Sequence, residues 1–87
     1  MERIIVNYFK TKFFVLSDFD KSIAIIKVEK GNQDITDKVI LALKEDIAEG
    51  DINLKIIDVI ISDNVINGIA SWEEGEFEFE MVVCEVY

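Results

Sequence analysis

Apolar side chains recur at steps of four as Ile35, Val39, Leu43 and Ile47, with Ile40 and Ala42 widening the stripe. That period belongs to a helix with one apolar face and predicts a helix over residues 35–49. Asp34 stands where an N-cap belongs. Asp37, three residues on, forms a capping-box-like pair with it at the positive helix end. Gly50 is the expected C-terminal stop.

Elsewhere the residues are β-branched and aromatic or alternate with period two. Residues 3–9 and 13–17 read as strands around a bend at 10–12, and residues 22–29 as a third after a turn at 18–21. Gly31-Asn32-Gln33 closes that segment before the helix. After the helix come an isoleucine-rich strand at 52–61, another at 65–73 and a last one at 76–86. Asn67-Gly68 is a hairpin dipeptide, but a turn at Ser62-Asp63-Asn64 gives strands of matched length. Gly68 is therefore expected to mark a bulge, and Glu74-Gly75 to turn into the final strand. The order ββ(β)-α-βββ predicts an α+β domain, a mainly antiparallel sheet of five or six strands with one helix packed on one face. One helix covers only part of such a sheet. The other face must be polar, strongly curled, or covered by a partner.

Eighty-seven residues are enough for one domain with one modest core, without room for a deep enclosed cavity. An apolar content of 51% excludes disorder, and four glycines with no proline exclude a collagenous or low-complexity chain. Cys84 is the single cysteine, so no internal disulfide framework exists and a reducing compartment is expected. No secretory leader is visible at the N-terminus and charge-free runs reach only nine residues, as at 64–72. The expected location is cytoplasmic.

Charge changes the picture most. Residues 1–44 carry eight basic and six acidic groups, net +2, whereas residues 45–87 carry one basic group, Lys55, and twelve acids, net −11. The total is −9. Direct nucleic-acid binding is disfavoured, because an acidic face and a phosphate backbone repel each other. A face of one sign is expected if the second half folds onto a common surface.

The segment Glu73-Glu74-Gly75-Glu76-Phe77-Glu78-Phe79-Glu80-Met81 carries the sharpest pattern. In a strand, Phe77, Phe79 and Met81 point to one side and Glu76, Glu78 and Glu80 to the other. Successive glutamates then stand about 6.6–6.8 Å apart. Neighbouring phosphates along a nucleic-acid strand lie at a comparable distance once backbone tilt is included. Such a ladder suits a row of arginines or lysines that otherwise grips nucleic acid; its plain alternative is a solvated outer face that blocks edge aggregation. Glu73, Glu74, Glu85, Asp58 and Asp63 are expected to join the ladder, with Trp72 as an aromatic anchor unless it is simply a core residue.

Catalytic chemistry is poorly supplied. There is no histidine for general-base or nucleophile-activating work. Cys84 sits in the apolar run Met81-Val82-Val83-Cys84, as a buried inert thiol would. The glycines are scattered, with no phosphate-cradling loop. Asp18-x-Asp20-x-Ser22 with Glu29 has partial calcium-loop spacing, but Ile23 occupies the position that requires glycine. No enzyme activity, cofactor or metal is expected.

In size, acidity and lack of catalytic residue types the chain resembles the small acidic inhibitors of phages and mobile elements, including anti-CRISPR proteins and other DNA mimics. The resemblance is compositional and transfers no site residue. It implies a protein partner with a basic surface, such as a nucleic-acid-binding host defence protein, and neither direct nucleic-acid nor membrane binding. The alternative is a self-associating structural or accessory domain, a homodimer formed through the uncovered sheet face or an edge.

Overall fold

A computed structural model describes residues 2–18, 23–47, 53–62 and 65–86. The architecture is α+β, with element order ββββ-α-βββ. Strands β2 (Thr11–Ser17), β3 (Ile23–Val28), β5 (Lys55–Ser62), β6 (Val65–Trp72) and β7 (Gly75–Val86) form one antiparallel sheet in the order β3-β2-β7-β6-β5. Two very short strands, β1 (Ile5–Val6) and β4 (Gln33–Asp34), pair separately. The helix, α1, spans Thr36–Ile47. Among the described residues no helix is long and apolar enough to cross a membrane.

The helix forms where its stripe requires. Asp34 caps it, its Oδ1 accepting from the Thr36 amide at 3.0 Å. Ile35, Val39, Ala42 and Leu43 are buried against the sheet, while Leu41 is exposed. The expected stop at Gly50 lies outside the described residues.

The first strand is shorter than residues 3–9 led us to expect. Only Ile5 and Val6 pair, because the preceding residues form an arm across the core instead. The Glu2 amide donates to the Ile56 carbonyl at 2.9 Å, and the Ile35 amide to the Ile4 carbonyl at 2.8 Å. The bend falls at Phe9–Lys10, with Lys10 at φ 51°, and Thr11 and Lys12 belong to β2. Ile4 and Val6 are thereby buried beside α1, so arm and helix together cover one face of the sheet.

Ser62 pairs with Val65, so the chain reverses between them and not at Asn67-Gly68; residues 63–64 themselves lie outside the description. The expected bulge at Gly68 is absent. Gly68 sits in regular register between Val59 and Phe79, and the irregularities fall in β5 between Ile56 and Asp58, and where β2 meets β7 at Lys12 and Phe13. Glu73 and Glu74 form the turn before β7, and Gly75 opens the strand at φ 139°, a conformation glycine tolerates best. Cys84 is half-buried rather than enclosed, its thiol donating to the Lys12 carbonyl at 3.2 Å.

Candidate protein-binding face

Period-two alternation sends Phe13, Val15, Ile66, Ala70, Phe77, Phe79 and Met81 into the core under the helix and arm. The residues between them form the opposite face, over which no described element lies. Cross-strand register sets out this outer face in rows. One row runs Ile25, Phe14, Val82, Val65. The next runs Ile23, Leu16, Glu80, Asn67, Ile60. Beyond it lie Glu78, Ile69 and Asp58, then Glu76, Ser71 and Lys55. Apolar groups therefore hold the β3–β2 side, where Ile23, Ile25 and Phe14 are exposed. Acids hold the middle.

Glu76, Glu78 and Glu80 are exposed and follow one another along β7, the central strand. Asp58 stands on the same face two strands away, a lateral distance of about 9–10 Å. Between Asp58 and Glu78 the twisted sheet leaves a shallow concavity of about 340 Å³, lined also by Ile60, Asn67 and Ile69. Asp18 extends the acidic group. Its amide donates to the Glu78 carbonyl at 3.0 Å, and its Oδ1 accepts from the Glu78 amide at 3.0 Å. Among the described residues no lysine or arginine forms an ion pair with Glu76, Glu78, Glu80 or Asp58. Glu85 differs, since its carboxylate meets Lys12 Nζ at 2.6 Å.

The other expected site residues fall elsewhere. Glu73 is at the β6–β7 turn, its Oε1 accepting from the Asn53 amide at 3.2 Å, and Glu74 is exposed beside it. Trp72 shares its parity with Ala70 and packs half-buried against the core, on the side away from the glutamates. Asp63 lies outside the described residues.

The apolar half of this face escaped the charge-led reading. Its signal was the loss of alternation in Phe13-Phe14-Val15-Leu16 and Ile23-Ala24-Ile25-Ile26, since strands apolar on both sides expect cover on both. Asp18 gave no such signal, because its place beside Glu78 depends on the pairing of β2 with β7. Among the described residues no group of three or more potential ligands is arranged to hold a metal ion. Asp18, from the partial calcium-loop pattern, is engaged by the Glu78 amide, and residues 19–22 lie outside the description. Comparison with protein-family models, curated proteins and solved structures finds no match to this chain.

Proposed function

We propose that the chain is a non-catalytic binding protein whose uncovered sheet face docks on a basic protein surface of the kind that holds a nucleic-acid backbone. The observation that carries this reading is the exposed column Glu76, Glu78, Glu80 on the central strand, with Asp58 and Asp18 on the same face and, among the described residues, no lysine or arginine paired to the column. A carboxylate ladder of strand spacing offers successive acceptors to a row of guanidinium or ammonium groups. The concavity between Asp58 and Glu78 suits one arginine, whose planar fork can reach two acceptors. Phe14, Ile23 and Ile25 alongside provide the apolar area that charge alone does not, so the partner surface has an apolar patch flanking its basic row. Occupying such a surface excludes nucleic acid from it, which is how an acidic inhibitor acts.

The test uses a labelled arginine-rich peptide as a defined probe. Binding should weaken steeply between about 50 and about 200 mM salt, because screening removes attraction between exposed charges. The E76K/E78K/E80K variant should bind roughly 10–100-fold more weakly, as three attractive contacts become repulsive. Equal binding by this variant, with its circular dichroism unchanged, would place the contact elsewhere.

A further inference from the structure

Independently of the acidic face, we propose that a second copy of this chain docks along the β3–α1 edge, joining two sheets into one. The two sheet edges differ. β5 is interrupted by the irregularity between Ile56 and Asp58, a feature that spoils continued pairing. β3 pairs with β2 over six consecutive positions without a shift, and no described strand pairs with its other side, beside exposed Ile25, at 57%. Above this edge lies an open groove of about 310 Å³ between strand and helix, lined by Ile25, Lys27, Lys38, Leu41 and Glu45 among others. Leu41 is 58% exposed, large for an apolar side chain on a covering helix.

Charge complementarity identifies the occupant. Lys38, Leu41 and Glu45 line the groove in that order, Lys38 and Glu45 being two turns apart, about 10.5 Å. The sequence of positive, apolar and negative groups is self-complementary under a two-fold axis. With the axis near Leu41 and normal to the sheet, Leu41 meets its own copy, and Lys38 of each chain faces Glu45 of the other. The same operation runs β3 antiparallel to β3 of the second copy. In the single chain Lys38 Nζ donates to the Lys27 carbonyl at 2.9 Å, a bond it exchanges for Glu45 of the second copy when the two β3 strands pair. A face-to-face dimer through the outer face lacks this match, since Glu78 and Glu80 on the central strand would approach the same groups of the other copy. The edge dimer instead leaves both carboxylate columns open on one side of a ten-stranded sheet.

Sedimentation equilibrium of the whole chain tests this. The wild type should show a concentration-dependent mass of two 10.0 kDa chains. K38E and E45K should each weaken the dimer about tenfold or more, because each reverses a contact made twice. K38E/E45K together should restore it to within about threefold of wild type, and L41K should weaken it without rescue. E76K/E78K/E80K should leave the dimer intact, which separates this interface from the partner-binding face. A monomer mass at all concentrations overturns the proposal. So does a dimer indifferent to K38E, E45K and L41K, with circular dichroism confirming that each variant is folded.

Discussion

Replacing Gly68 by valine should destabilise the protein by about 3 kcal/mol, at the upper end of what overpacking costs. A Cβ at this position would lie 2.3 Å from Cζ and 2.6 Å from Cε1 of Phe79. Phe79 is directly across the strand pair, 3% exposed, and its ring covers the glycine. It can yield only by leaving the core. Strand preference acts in the opposite direction, since valine favours a strand over glycine by up to about 1 kcal/mol. The sign of the effect is therefore diagnostic. A loss of about 3 kcal/mol lowers the melting temperature by roughly 12–24 °C in a domain of this size. Pairing the change with Phe79→Leu should recover part of the loss, a coupling that thermal melts of the four proteins measure directly. A Gly68→Val protein as stable as wild type would show that the ring does not lie over the glycine.

The second large effect is expected at Thr36, where the arm, the strand β4 and the helix meet. Its hydroxyl is fully buried, accepts from the Ile4 amide at 2.7 Å and donates to Asp34 Oδ1 at 2.6 Å. Thr36→Val keeps the shape and removes both bonds, leaving the Ile4 N–H buried and unpaired, at a cost of about 2–3 kcal/mol. The change should also alter the response to acid. The Thr36 hydroxyl, then the Thr36 amide, then Arg3 hold the Asp34 carboxyl down at about 2, against an ordinary 3.8. Because the folded value is the lower one, the unfolded chain takes up the proton first as pH falls. The stabilisation is complete above 3.8 and is lost as pH drops toward about 2. Denaturant melts between about pH 5 and about pH 2 should thus show a shallower acid dependence for Thr36→Val than for wild type. Parallel curves would mean that Thr36 does not set the Asp34 proton affinity.

The helix and the glutamate column were legible because each rests on a local period. The stripe of Ile35, Val39 and Leu43 marks its buried face, and Phe77, Phe79 and Met81 force their glutamate neighbours outward. Trp72 was legible in part, since its parity with Ala70 puts it on the core side, but a single residue beside a turn has no run to define its face. Contacts distant in sequence were not legible. The pairing of β2 with β7, which puts β7 in the centre and Asp18 beside Glu78, joins segments some sixty residues apart. Residues 3–9 have strand composition but serve as a covering arm, because burial of Ile4 and Val6 against the helix satisfies them as well as a ladder would. The glycine at 68 answers to the Phe79 ring on the neighbouring strand, which no local pattern records.

The central claim is that Glu76, Glu78, Glu80 and Asp58, with Asp18 beside them, act as one docking surface. A residue-resolved NMR titration of the chain with the arginine-rich peptide tests it most directly. Amide shifts should concentrate at Glu76, Glu78, Glu80, Asn67 and Asp58, and collapse together as salt is raised. Shifts spread evenly over all acids, including Asp37 and Glu45 on the helix, would contradict it.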